Sequence, residues 1–194
     1  MRLFVALAPP PEILHEIETA VAAYRAEWPT LRWVRRDLWH VTLAFLGEVE
    51  DRRVPPLMSR LERTAARYPS LRLSFAGAGA FPSAGSRSGR VLWTGIDGDR
   101  RALARLADSV SAAARHAGID VGERKRSFSA HLTLARVREP TCLRPLVDGL
   151  SSYVGTPWDA GELCLVRSHL GREPRYETIG AWPLRGAAGP PSEG

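Results

Sequence analysis

The chain has 194 residues, 44% hydrophobic and 25% charged, which is long enough for one domain or two small lobes with a real core. No apolar run approaches the roughly 20 residues of a membrane helix, the apolar start is too short for an export signal, and Cys142 and Cys164 lack zinc-ligand spacing; a cytoplasmic protein with reduced thiols is expected. The net charge of +6 suits an anionic partner such as nucleic acid, but every basic residue except Lys125 is arginine, a bias that genome composition also produces.

In chain order, "RLFVAL" (Arg2 to Leu7) reads as a strand and "EILHEIETAVAAYRAEW" as a helix, with Ile13, Ile17, Ala20, Val21 and Tyr24 at helical spacing. Pro10 and Pro11 suit its first turn. The strand "WHVTLAFLG" follows, then the Pro-opened helix "VPPLMSRLERTAARY" and the strand "LRLSFAGAGAF". "PSAGSRSGR" (Pro82 to Arg90) is a loop, after which the order repeats. "VLWTGI" is a strand, "DGDRR" supplies Asp residues able to cap a helix, and "ALARLADSVSAAARHAG" is that helix, stopped by Gly118. Then come the strand "AHLTLARV", the Pro-opened helix "EPTCLRPLVDGLSSY", and the strands "GELCLVRSHL" and "YETIGAWPL". Each half (about 1–81 and 91–185) reads strand, helix, His-strand, helix, strand. An α/β (α+β) fold of two similar lobes is expected, related by a pseudo-twofold and forming one bilobal domain over 1–185. Residues 186–194 form a tail expected to be disordered.

Both His-strands carry H-x-T-L, at His40 and at His131. Chance would give two such frames among five histidines roughly 3 times in 10,000, before discounting for choosing the pattern afterwards. Side chains alternate along a strand, so His40 and Thr42 share one face while Val41 and Leu43 point into the core. His131 and Thr133 do likewise, backed by Leu132 and Leu134. The plain alternative is two half-buried strands whose histidines cap a polar edge, but the symmetric placement favours a shared cleft. Two imidazoles with ordinary pKa values near 6.5 can serve one as acid and one as base, and Thr hydroxyls can donate to the oxygens of an anion between them. A phosphodiester needs that set of groups, and no metal is required when the leaving oxygen belongs to a strained ring. The residues themselves leave open which imidazole is the acid.

These motifs resemble those of the two-histidine phosphoesterase superfamily. The flanks "RWVRRDLWHVTLAFLGEV" and "FSAHLTLARV" resemble the bacterial RNA 2′,3′-cyclic phosphodiesterases, also called the LigT or ThpR family of 2′-5′ RNA ligases, over essentially Met1 to Arg185. Ala130 departs from the Pro often found there. The resemblance implies His40 as proton donor, His131 as the acceptor that activates water, and Thr42 and Thr133 as holders of the phosphate. It also implies Arg136 as a phosphate ligand, RNA ends or nucleotides with a cyclic phosphate as substrate, a 2′-phosphomonoester product, reversal as an ATP-independent ligase, no cofactor and no metal; a monomer is expected. Strict alternation would put Arg136 opposite His131, so the strand must bulge or twist, or the side chain must reach around it. Two other readings stand beside this one. One is a superfamily relative acting on small cyclic nucleotides or as an RNA exonuclease; the other is a nucleotide- or RNA-binding module without catalysis.

Weaker candidates flank the motifs. Arg35 and Arg36, Arg124, Lys125 and Arg126, and Arg87 and Arg90 could track an RNA backbone, though solvated loop charge explains each of them individually. Trp39, Phe45, Phe81 and Phe128 could stack on a base, with core the better assignment for most and alternation sending Phe45 inward. His15, His116 and His169 belong to no pattern.

Overall fold

The computed structural model describes residues 1–82, 89–122, 128–171 and 173–186. The strands are β1 (Arg2–Leu7), β2 (Arg32–Trp33), β3 (Val41–Glu48), β4 (Leu71–Phe81), β5 (Gly89–Gly98), β6 (His131–Thr141), β7 (Trp158–Ala160), β8 (Glu162–His169) and β9 (Arg175–Pro183). The helices are α1 (Pro11–Glu27), α2 (Val54–Ala65), α3 (Arg100–His116) and α4 (Arg144–Leu150).

Local chemistry accounts for most of these boundaries. Pro stands at the start of α1, α2 and α4, where its missing N–H has no helical partner to lose. Ile13, Ile17 and Val21 bury one stripe of α1, and Leu103, Leu106 and Val110 one stripe of α3. Gly118, at φ +76°, ends α3 in the left-handed conformation. Three expectations change. Gly89 and Arg90, read as the end of a loop, are the first residues of β5. Asp99 occupies the N-cap position of α3 but makes no side-chain cap; its carboxylate accepts the Arg72 N–H of β4 at 2.8 Å. The stretch from Glu139 to Thr141 is not helix, because β6 continues to Thr141, paired there with Gly89. The helix begins only at Arg144.

Among the described residues the nine strands form two sheets, ordered β3-β1-β8-β9 and β2-β6-β5-β4-β7. Every pairing is antiparallel. The repeat is therefore visible in space, with β3-β1-β8 answering β6-β5-β4. The sequence halves, however, are not the lobes. Each sheet takes its first two matching strands from one half and its third from the other, so β8 joins β1 and β4 joins β5. The helices exchange as well. Ile17, Ala20 and Val21 of α1 face Gly77, Thr94 and Leu134 of the second sheet, and the Glu16 carboxylate accepts the Thr156 N–H at 3.0 Å. In return α3 packs on β3, beside α2, which covers β8 and β9. One continuous apolar cluster holds both sheets, from Leu3, Val5 and Leu7 to Leu132, Leu134 and Leu163. Its exchanged elements tie the halves together through the core.

Candidate functional site

The two sheets meet where β3 approaches β6, which brings both repeated tetrapeptides to one place. His40 immediately precedes β3, and His131 opens β6. Each imidazole is held the same way. His40 Nδ1 lies 2.8 Å from the Leu38 carbonyl, and His131 Nδ1 lies 2.8 Å from the Ser129 carbonyl. A carbonyl can only accept, so Nδ1 carries the proton in both rings and Nε2 is left to give or take one. Val41, Leu43, Leu132 and Leu134 are buried behind them, while Thr42 and Thr133 are half-buried on the imidazole face. Neither Thr hydroxyl has a hydrogen-bond partner among the described residues, so both are available to a ligand.

A duplicated bulge decides what else reaches this face. Along β1 and β3 the register runs Ala6 with Thr42, then Val5 with Ala44; along β5 and β6 it runs Trp93 with Thr133, then Leu92 with Ala135. In both motifs the inserted residue is the Leu three places after His. Two successive inward residues result, Leu43 with Ala44 and Leu134 with Ala135, all buried. One inserted residue flips the alternation beyond it. Arg136, five places after His131, accordingly turns to the imidazole face, as the resemblance requires. Phe45, five places after His40, turns there too and is 67% exposed. The expectation that Phe45 belongs to the core is corrected for this reason.

Electrostatics agree with the geometry. Burial pushes His40 down to about 4, against the Leu38 carbonyl bond, which favours its charged form; the charges of His131 and Arg136 lower it further. His131 is lowered by burial and by Arg136, again against its carbonyl bond. Both rings therefore favour the neutral form in the free protein. The charge of Arg136 acts on both imidazoles. Arg136 forms no ion pair among the described residues, so an anion would complete its coordination.

Aromatic rings line the two imidazoles. Phe4 lies 4.5 Å from His40 and Tyr176 meets it edge-on at 5.2 Å; Phe81 meets His131 edge-on at 5.1 Å and Trp93 lies 6.0 Å away. Gly79 makes room for Trp93, since a Cβ there would come within 2.1 Å of the indole. Of the aromatic candidates, Phe45 and Phe81 reach the site, whereas Trp39 is buried under the Arg25 guanidinium and Phe128 packs against the core. Sequence reasoning missed Phe4, Trp93 and Tyr176. Phe4 was legible as the odd aromatic on the Arg2–Phe4–Ala6 face of β1, but placing Trp93 and Tyr176 needs cross-strand register.

The basic candidates divide. Arg35 pairs with Asp37, and Arg36 holds Glu18 at 3.3 Å together with the Pro11 carbonyl, which gives Arg36 a structural task. Arg90 is exposed; Arg87, Arg124, Lys125 and Arg126, like the tail from 187, lie outside the described residues. His15 and His116 are exposed on their helices, and His169 meets Glu177 at 2.7 Å. Cys142 is exposed, and Cys164 is buried with its thiol pushed up to about 12 by burial and by Glu162. Among the described residues no cluster of three or more His, Cys, Asp or Glu could hold a metal, and no helix is long and apolar enough to cross a membrane.

The family model described as LigT like Phosphoesterase matches residues 7–93. The chain is 33% identical over 166 residues to an RNA 2′,3′-cyclic phosphodiesterase of Geobacillus stearothermophilus, covering 82% of this chain and about half (49%) of that relative. It is 33% identical over 138 residues to one of Archaeoglobus fulgidus, covering 71% of this chain and 73% of the relative. The crystal structure of E. coli LigT in apo form superposes with a TM-score of 0.71 at 28% identity, covering 94% of this chain and 96% of that one.

Proposed function

This chain belongs to the LigT-like phosphoesterases, and on that premise we propose that it is an RNA 2′,3′-cyclic phosphodiesterase, opening the ring to a 2′-phosphomonoester. The observation that carries this reading is the matched anchoring of two imidazoles, each by Nδ1 to the carbonyl two residues upstream, where β3 approaches β6. In the family order, His131 Nε2 takes a proton from water as its oxygen bonds to phosphorus. The P–O3′ bond breaks on the opposite side, and O3′ takes the proton of His40 Nε2; P–O2′ stays intact. Thr42, Thr133 and Arg136 hold the non-bridging oxygens, where negative charge grows in the transition state. Burial works against a charged His40 in the free protein, so the substrate's own anion must raise it, which ties protonation to binding.

With a ribose 5′-OH in place of water, the same groups in the same roles perform ligation: P–O5′ forms, P–O3′ breaks and a 2′-5′ linkage results, which the reverse steps cleave back to the cyclic phosphate. A non-catalytic binding module is disfavoured by the presence of all four motif residues, two of them held as free-Nε2 imidazoles. A cytoplasmic monomer acting on RNA ends goes with this reading.

The decisive experiment offers the protein an oligoribonucleotide ending in a 2′,3′-cyclic phosphate, with EDTA present. A 2′-phosphate product, seen by phosphorus NMR, is expected at an undiminished rate. Activity lost in EDTA and restored by a divalent ion would refute the metal-free mechanism. Thr42→Val and Thr133→Val preserve shape and strand propensity while deleting one donor. Each is expected to lower kcat/KM by an amount worth about 1–3 kcal/mol, the scale of a hydrogen bond to a charged group, with Tm held near the wild-type value. Wild-type turnover in both variants would assign the hydroxyls to strand packing.

A further inference from the structure

The helices α2 and α3 lie side by side on the core face of the first sheet, α3 on β3 and α2 on β8 and β9. Their outer side therefore points away from the histidines. They run antiparallel. The Arg53 guanidinium at the start of α2 meets the Gly118 carbonyl past the end of α3, and the Tyr68 hydroxyl past the end of α2 donates to the Arg105 carbonyl at 2.9 Å. Between the two helices runs a groove of about 570 Å³, which the small side chains of Ala112 and Ala113 leave open. Arg60, Arg63, Arg67 and His116 line it, and no Asp or Glu does so among the described residues.

The spacing i, i+3, i+7 puts Arg60, Arg63 and Arg67 on one side of the chain. Arg63 and Arg67 are exposed and Arg60 is half-buried. None of the three forms an ion pair or a side-chain hydrogen bond among the described residues. An arginine-rich composition does not by itself produce this. On α1 and α4, the matching helices of the second sheet, each arginine is paired: Arg25 with Glu18 at 3.8 Å and Arg144 with Asp148 at 3.4 Å. Three unpaired guanidiniums around one concave surface repel each other, and an anion carrying several charges relieves that repulsion.

The edge strand β9 leads from the catalytic face to this groove. Near its start, Tyr176 meets His40 at 5.2 Å. Past its end, the Gly186 N–H donates to the Tyr68 carbonyl at 2.8 Å, which brings exposed Arg185 close to Arg67. The ten residues from Tyr176 to Gly186 span roughly 30 Å at about 3.3 Å each. A dinucleotide seated at the histidines is too short to reach the groove.

Resting on the phosphodiesterase reading for the nature of its ligand, we propose that the α2–α3 groove is a second RNA site, where Arg60, Arg63 and Arg67 hold backbone phosphates upstream of the end being opened. The ligand is a phosphodiester chain held by charge, a mode that carries no base readout. The length of the RNA, rather than its sequence, then sets how tightly the protein holds it.

Binding is read apart from catalysis, as the fluorescence anisotropy of a labelled single-stranded oligoribonucleotide with an ordinary 3′-OH, about 20 nucleotides long, titrated at several salt concentrations. Each neutralised phosphate of a single strand contributes a slope of about −0.7 to log K against log salt. The triple variant Arg60→Gln, Arg63→Gln, Arg67→Gln is expected to bind about tenfold more weakly or worse, with a slope shallower by about 2. Ala112→Glu leaves every arginine in place but sets a carboxylate in the groove, and should weaken binding likewise. Both variants should open a dinucleotide 2′,3′-cyclic phosphate with wild-type kcat/KM, while their KM for a long RNA with the same end rises about tenfold. Unchanged affinity and slope in the triple variant, or unchanged affinity in Ala112→Glu, would overturn the groove as an RNA site. So would a polyglutamate peptide that binds wild-type protein as tightly as the RNA and is lost in the triple variant, since the groove would then belong to an acidic protein. Failure of wild-type protein to open either cyclic phosphate, with RNA binding intact, would instead overturn the phosphodiesterase reading.

Discussion

His40→Ala and His131→Ala are each expected to slow opening of the cyclic phosphate by about 10²–10⁴-fold, the usual worth of a positioned acid or base, while leaving the fold intact. The imidazole bonds they remove go to the carbonyls of Leu38 and Ser129, and neither ring lies among the buried core residues. The two variants should differ on an aryl phosphodiester, whose phenolate departs without a proton. There His40→Ala should recover most of the lost rate, because its donor is no longer needed, and His131→Ala should recover none. The opposite pattern would exchange the two roles; equal loss on both substrates would mean that the rings act only as hydrogen-bonding supports.

The second large effect belongs to Arg136. Removing one preorganised donor from a developing oxyanion costs on the order of 10²–10³ in rate, and Arg136→Gln is expected to fall in that range. It should also move the pH profile. Arg136 lowers both His40 and His131, so removing its charge raises both and shifts the kcat/KM optimum to higher pH. In the wild-type protein that profile should be a bell centred on the acid side of the ordinary histidine value of about 6.5. Burial holds both rings low, and the productive free form needs one of them charged. The kcat profile should lie at higher pH than the kcat/KM profile, because bound phosphate raises both rings. Arg136→Lys preserves the charge and should preserve the profile, yet still lose rate if the contact is a two-pronged one that only a planar guanidinium makes. An unmoved profile in Arg136→Gln would show that the guanidinium is too remote to act on the imidazoles.

The histidines, their threonines and the fold class were legible because they depend on local rules: strand alternation, helical spacing, Pro at helix starts. The repeat was legible because it was written twice. The sense of Arg136 and Phe45 was not, since it turns on one inserted residue per strand, and Leu43 and Leu134 read like any other core leucine. Only pairing with β1 and β5 reveals that β3 and β6 each carry an inserted residue just after the motif threonine, Leu43 and Leu134. The same limit applies to Tyr176, which reaches His40 from a strand two places away from β3's neighbour β1, and to the end of β6, where Glu139-Pro140-Thr141 carries a helix-opening composition but is held as strand by Gly89. The exchange of β4 and β8 was hidden for a related reason: each half contains the right number of strands to close on itself, and nothing local says which sheet the third one joins.

That exchange has a consequence for how the protein is made. On a ribosome adding roughly 5–20 residues per second, β1 emerges first and finds β3 soon afterwards, but its other edge pairs with β8, Val5 opposite Leu165. For the roughly 6–23 s needed to add the chain between β3 and β8 at that speed, the first sheet exists as a two-stranded ribbon with an open apolar edge and with α1 still lacking the second sheet it covers. A ribbon of that kind is marginal in water and open to pairing with a neighbouring chain. The nascent N-terminal half should therefore need shelter until almost the last strand is synthesised, and the same half expressed alone should be insoluble even though it carries a complete copy of the repeat.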